Sequence, residues 1–379
     1  SHVSTATLSG RKFFTWGTGR GGKRWMDFLS EDGKGDYLEI QGGVTPTQLQ
    51  TRPLKAGDSI EWTECLGPLS LDKKVAHDTD YAVACAAAEQ AIGPAVPLSA
   101  LHDVDAFLKT QAAAPVQTLM SRGSGWGMLY EKRTGRRLSP GLPFETTLTD
   151  EERPWSELLT LGTFSDETVS QPPLSFNVSP GWVALLRESM SKKGATALHH
   201  LHLGVAQLEA GAFDDAKNSF EASLALKPTA LACRNLALLF ERGNDLDAAQ
   251  GAYSRAWKLC GGADANLAVE ICSFLVRHNR DAAFATFSEL LPPALASHER
   301  LQLMRAQQAL KHGDPLRARQ LLQREFSTIR EGEVSLSELW FSACFKEAET
   351  AKGHALTDSE KQEIMATNPP PRMIDFRMQ

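Results

Sequence analysis

Residues 203–228 read LGVAQLEAGAFDDAKNSFEASLALKP, and this stretch decides the fold. A small residue, Gly204, stands twelve places before Ala216, and the bulky Phe220 follows four places after it. Residues four apart lie on one face of a helix, so Ala216 and Phe220 present a small-then-large pair to the same neighbour. Gly211 breaks the run in its middle, and Pro228 ends it. Outward from here the pattern returns every 33 to 35 residues across 196–328. Ala216, Ala249, Ala283 and Ala318 take one place, and Phe220, Tyr253, Phe287 and Leu322 follow them. Gly204, Ala237, Ile271 and Ala306 precede them, and Gly313 repeats the turn of Gly211.

This period and this small-large-small pattern resemble the tetratricopeptide repeat. The resemblance implies about four helix pairs over 196–328, stacked because one pair cannot bury its own apolar face. The first helices of the pairs are expected to line a concave wall with Arg234 and Asn235, Asn266 and Glu270, and Arg300 and Arg305. Such a wall suits a protein partner or self-association, although the dense Lys, Asn and Arg array that clamps a carboxylate is missing. Residues 329–379 read as a capping helix over 335–352 and, beyond Pro369-Pro370-Pro371, an extended tail over 373–378.

Residues 1–70 have a different character. Short runs at 12–16, 37–41, 48–52 and 59–66, most of them rich in aromatic and β-branched residues, are separated by glycine clusters, which predicts strands of an antiparallel sheet. In Tyr37-Leu38-Glu39-Ile40-Gln41 alternation places Leu38 and Ile40 on one face and Tyr37, Glu39 and Gln41 on the other. Four or five strands bury too little alone, so further strands are expected to complete the sheet. The opening Ser1-His2-Val3-Ser4, without an initiator Met, reads as the continuation of a longer chain.

Lys12-Phe13-Phe14-Thr15-Trp16-Gly17, Trp25, the stretch from Tyr37 to Gly43, Thr47-Gln48 and Glu61-Trp62-Thr63-Glu64 resemble a domain of unknown function found ahead of tetratricopeptide repeats in bacterial proteins. Gly125-Trp126-Gly127, Pro154-Trp155, Trp182 and Arg330-Glu331-Gly332-Glu333 extend that resemblance along the chain. The resemblance implies an α+β, multidomain fold. It would hold the carboxyl-terminal fragment of an antiparallel β supersandwich of galactose-mutarotase-like type, followed by an α-helical tetratricopeptide-type superhelix. Mutarotases carry a catalytic carboxylate in a Glu-x-Gln strand, which Glu39-Ile40-Gln41 matches locally. The Pro-Asp-Ala-x-Asn segment that follows in mutarotases is absent, and their histidine acid would lie outside this sequence.

A carbohydrate-binding or carbohydrate-active protein follows as the first reading, a glycoside hydrolase or sugar epimerase if it is an enzyme. Glu39 is the candidate catalytic base, and Gln41, Tyr37, Trp16, Trp25, Trp62 and Gln48 are the candidate sugar-binding residues. A carboxylate and an amide on one face exchange hydrogen bonds with sugar hydroxyls, and an aromatic ring stacks on a pyranose. The blander reading makes Glu39 and Gln41 part of a solvated face and each tryptophan a core residue. The alternative function is a non-catalytic protein–protein interaction scaffold. Glu61 and Glu64 point to opposite faces of their predicted strand and form no carboxylate pair.

Between these regions, residues 71–195 are expected to be a mixed helical connector. Helices are predicted over 79–92, capped by Asp78 or Thr79, and over 98–113, 155–161 and 181–190. The connector should wrap against its neighbours, because Trp155 and Trp182 need burial. Pro140-Gly141-Leu142-Pro143 and Pro172-Pro173 break the chain.

Composition narrows the classes further. The 379 residues carry a net charge of -6 with both signs interspersed, which argues against a nucleic-acid surface. No run is long and apolar enough for a bilayer. The six cysteines form no CxxC pair and read as free thiols of a reducing cytoplasm. Residues 17–24, GTGRGGKR, lack the GxxxxGK[ST] spacing of a phosphate loop and read as a flexible loop with no helix after it. His199 and His202 share a helix face, but no third ligand lies at metal-binding spacing, so helix packing or a surface position is the expectation and no cofactor is expected.

Overall fold

The computed structural model describes residues 1–31, 33–138, 141–144, 147–329 and 335–377. The chain divides into two compact units, one built mainly from Ser1–Ser121 and the other from Arg122–Leu138 and Phe144–Phe376.

The first unit contains β1 (His2–Ser4), β2 (Gly10–Phe14), α1 (Arg20–Leu29), β3 (Glu39–Gly43), β4 (Glu64–Leu66), α2 (Lys73–Ala76), α3 (Tyr81–Ala95) and α4 (Leu98–Ala113). Where a sandwich fragment was expected, the described residues form two separate two-stranded antiparallel sheets. β1 pairs with β4, and β2 pairs with β3 in a register that sets Phe14 opposite Glu39 and Lys12 opposite Gln41. Residues 48–52, expected as a strand, begin in a turn, and only Glu64–Leu66 of the expected strand 59–66 is extended in a ladder. Glycine 17–22 does not lead into a loop. α1 starts at Arg20, because Gly21 and Gly22 let its first turn close on the backbones of Arg377 and Trp16. α3 starts two residues later than expected, where the Asp80 carboxylate accepts from the Ala82 N–H.

The β2–β3 sheet turns its apolar side to solvent. Phe13, Leu38 and Ile40 are 65%, 49% and 53% exposed, while Tyr37, Glu39 and Gln41 are half-buried. The alternation is as read, but in this unit little apolar surface is available to cover the Leu38 face. Its buried hydrophobics are Leu8, Trp16, Trp25, Met26 and Leu101.

The second unit opens with α5 (Gly125–Thr134), α6 (Arg153–Thr160), α7 (Asp166–Ser170) and α8 (Pro180–Lys193). Trp155 and Trp182 are buried here with Leu129, Leu158, Phe164, Leu186 and Leu198, as their size required. Four helix pairs follow: α9 (Ala197–Glu209) with α10 (Phe213–Leu226), α11 (Ala230–Arg242) with α12 (Leu246–Leu259), α13 (Ala265–Arg277) with α14 (Asp281–Glu289), then, after α15 (Pro293–Ala296), α16 (Glu299–Lys311) with α17 (Pro315–Leu322). Thr196, Thr229 and Asp264 cap the first helices of three pairs. A Cβ on Gly204 would stand 2.6 Å from the Phe220 ring, so the missing side chain is what lets α9 and α10 close.

The third pair corrects the sequence alignment by one residue. Counting eight places from the N-caps Thr196, Thr229, Asp264 and His298 gives Gly204, Ala237, Cys272 and Ala306, not Ile271. Four places into each second helix stand Ala216, Ala249, Phe284 and Ala318, not Ala283. The buried Phe284 thus occupies an alanine position, and Phe287 packs edge-on against Trp257 at 5.2 Å. The turns explain the shift. Gly211, Asn244, Asn279 and Gly313 all have positive φ, at 76°, 58°, 54° and 80°, and mark the same place in each pair.

α18 (Ser335–Lys352) and α19 (Asp358–Thr367) close the unit. Ile374 and Phe376 of the tail are buried, and the Ser337 hydroxyl donates to the Ile374 carbonyl at 3.1 Å. The tail is a 3-10 turn over Arg372–Ile374 before it extends. The motif 330–333 and Met378, like Pro140, lie outside the described residues. No helix among the described residues is long and apolar enough to cross a membrane.

Candidate functional site

β3 brings three of the expected site residues together. The Tyr37 hydroxyl donates to Glu39 Oε1 at 3.2 Å, and Gln41 Nε2 donates to Glu39 Oε2. Directly opposed residues of an antiparallel pair share a face, so Lys12 and Phe14 of β2 flank the cluster. Trp16 stands beside it, its ring 5.2 Å from Tyr37 and 5.0 Å from Phe14, both edge-on. A carboxylate has about four acceptor sites, and these two donors leave capacity for a ligand hydroxyl. The arrangement can hold a polar group and accept its proton.

The other expected residues take different places. Trp16 and Trp25 are buried, Trp25 on α1 with its ring 6.0 Å from Phe28, so both have the core role that their size favours. Gln48 is exposed in a turn. Trp62 is partly exposed ahead of β4, with its Nε1 3.5 Å from Glu64 Oε1, and it lines a shallow groove against α4. Asp105 and Lys109 of α4 lie in that groove. Thr63 Oγ1 donates to Asp105 at 2.7 Å, and Lys109 pairs with Asp105 at 3.0 Å. The Thr63 hydrogen bond, then the lysine, lowers the Asp105 pKa. Sequence reading found the α4 helix but not this carboxylate, since only the fold sets it against residues 60–63.

The expected polar wall of the repeats is occupied from within. Arg234 Nε donates to Glu270 at 2.9 Å, and the Tyr253 hydroxyl donates to the other Glu270 oxygen at 2.9 Å, linking the second pair to the third. Arg234 also donates to the buried Asn235. Burial, then Glu270, raises the Tyr253 pKa. Arg305 donates to the carbonyls of Ala296 and Ser288, and Arg300 to that of Thr328. Arg234, Tyr253 and Arg305 thus brace successive pairs, and Arg300 ties α16 to the segment after α17.

His199 and His202 are buried at the start of α9. Thr196 donates to His199 Nδ1 through its backbone N–H at 3.3 Å, and His199 Nε2 lies 2.9 Å from Ser189 Oγ. Burial, then His200, lowers the His199 pKa to about 4. His202 packs on Trp155, Phe164 and Phe176, and burial, then His199, lowers its pKa to about 3. Among the described residues no group of His, Cys, Asp or Glu could hold a metal ion. All six cysteines are free, and burial pushes the Cys272 thiol up to about 12.

Residues 1–78 match a family described as a domain of unknown function, DUF5107. Among curated proteins nothing matches the chain. The chain is similar to a solved structure from a functional characterisation of Pseudomonas aeruginosa pilF, at 17% identity over 46% of this chain and 77% of that one, with a TM-score of 0.33. It is also similar to a tetratricopeptide repeat protein from Parabacteroides merdae, at 14% identity over 50% of this chain and 73% of that one, with a TM-score of 0.37. At these scores the description of the repeats rests on their own helix pairs, turns and small-large contacts.

Proposed function

We propose that this chain is a protein-association scaffold, in which braced helix pairs are joined to an amino-terminal unit that offers an apolar face to another protein surface. The observation that carries this reading is the bare face of β2–β3, Phe13 with Leu38 and Ile40. A lone two-stranded sheet is marginal in water, and contiguous exposed apolar side chains mark surfaces that are covered in use. Sedimentation velocity over a concentration series tests the case in which a second copy covers it. Association is expected in the wild type and is expected to be lost in the double variant Phe13→Glu, Ile40→Glu. A wild type that stays monomeric, with β2–β3 amides as well protected from exchange as those of α9, would reject the reading.

The Tyr37–Glu39–Gln41 cluster favours a second reading, a saccharide site. It agrees with the Glu-x-Gln resemblance to mutarotase-like supersandwiches. With Trp16 and Trp25 buried, ring stacking would fall to Tyr37 or to Trp62. An oligosaccharide binding screen on wild type and Glu39→Gln separates the roles. Binding kept with turnover lost assigns Glu39 to catalysis, and loss of both assigns it to hydroxyl binding. No sugar bound by either protein removes the saccharide reading and leaves the scaffold.

A further inference from the structure

The second unit contains an open cavity of about 310 Å³, lined by residues of α6, α7, α9 and the loops before α6 and after α7. Its walls include Pro154, Pro172, Pro173, Leu174 and Leu198, and the imidazole of His202 lines it. His202 is 2% exposed, and neither ring nitrogen has a hydrogen-bond partner. A neutral imidazole carries one donor and one acceptor, and a buried polar group of that kind calls for a partner. A 180° flip of the imidazole exchanges its two nitrogens with its two ring CH groups.

The cavity walls are built rather than accidental. Glu157 accepts from the Ser165 N–H at 2.9 Å and so holds the start of α7. Lys227 donates to the carbonyls of Val169 and Ser170, fixing its end. Ser175 accepts from the Trp155 indole N–H at 2.9 Å and donates to the Glu151 carbonyl, anchoring the loop. The charge at the mouth argues for the kind of ligand. Asp150 and Arg153 pair at 3.0 Å, and Glu167 adds a further carboxylate, which disfavours anions. Proline rings present flat C–H faces that pack against a planar ring, and the volume is at the small end of ligand cavities.

We propose that this cavity binds a compact, neutral, ring-shaped ligand of phenol-like chemistry, whose hydroxyl is read by His202. The site is independent of the Glu39 cluster and of the apolar face of β2–β3. The test uses the full chain with ¹⁵N-labelled histidine, p-cresol as probe, and toluene and 4-methylbenzoate as comparisons. The His202 ring signals are assigned by their loss in His202→Phe. p-Cresol is expected to shift those signals saturably, and to bind at least about tenfold more tightly than toluene, because a site built around a hydroxyl rejects the ligand that lacks it. The variant Leu174→Trp, altered at the exposed mouth, is expected to weaken p-cresol by a similar factor while leaving the circular dichroism spectrum unchanged. The proposal is overturned by any of four results: no saturable shift, equal affinity for toluene, tighter binding of 4-methylbenzoate, or undiminished p-cresol affinity in His202→Phe.

Discussion

His202 shows how much one side chain can report. Its ring lies among Trp155, Phe164 and Phe176, and its folded pKa is lowered to about 3. In the unfolded chain it titrates near about 6.5. Between these values the unfolded chain binds a proton that the native protein does not, so stability falls as pH drops from about 6.5 toward 3. His199, lowered to about 4, and His200 act in the same direction. The urea midpoint is therefore expected to fall between pH 7 and pH 5, above the range where carboxylates titrate, and His202→Phe should flatten that slope. Equal slopes in the two proteins would refute the assignment. Gly204 makes a steric prediction. Gly204→Ala gains helix propensity but drives a methyl into the Phe220 ring, and overpacking of this kind costs about 1–3 kcal/mol. A lower melting temperature is expected, and a raised one would mean that the ring moves freely. The shared helix face of His199 and His202 was legible in the sequence. Their burial was not, because it depends on α6 and the residues after it folding onto α9.

At the scale of the helix pair, the turn decides the register. Gly211 and Gly313 were legible as turns, whereas Asn244 and Asn279 were not, although Asn is the residue other than Gly that most readily accepts positive φ. Aligning on alanine placed Ala283 with Ala216. The structure places Phe284 there, because left-handed Asn279 sets where α14 begins. Asn279→Val is expected to destabilise the protein by about 1–2 kcal/mol, the cost of a left-handed residue with a branched side chain, and Asn279→Gly to leave it unchanged or slightly more stable. Chemical denaturation of the two variants checks this, and equal midpoints would show that the turn carries no strain. The strands were harder to read. Alternation in residues 37–41 correctly paired Tyr37 with Glu39 and Gln41, but the run at 59–63, which also carries Ile60 and Trp62, lies outside the strand, and 48–52 begins in a turn. Strand propensity becomes a strand only where another strand supplies the hydrogen bonds.

For the whole molecule, the contrast between the units sets a gradient of stability. The helix pairs bury a continuous set of side chains from Leu201 to Leu301, while the first unit buries few. Hydrogen exchange is expected to show β2–β3 amides opening at least about 2 kcal/mol more easily than those of α9 to α12, as local opening follows buried contact density. Exchange of both at one common free energy would mean that the chain unfolds as a single cooperative body.

The sequence by itself determined the helix pairs, their period, the small-large positions of the first, second and fourth pairs and the alternation that joins Tyr37, Glu39 and Gln41. These are local properties, set by residues a few places apart and by the 3.6- and 2-residue geometries of helix and strand. Only the tertiary structure decided that Phe13, Leu38 and Ile40 are bare, that Trp16 and Trp25 are buried, and that Arg234 and Glu270 face each other. It alone placed His202 at a cavity walled by residues 150–175. Burial and contact between distant segments depend on which surfaces the folded chain brings together, and no local period encodes that.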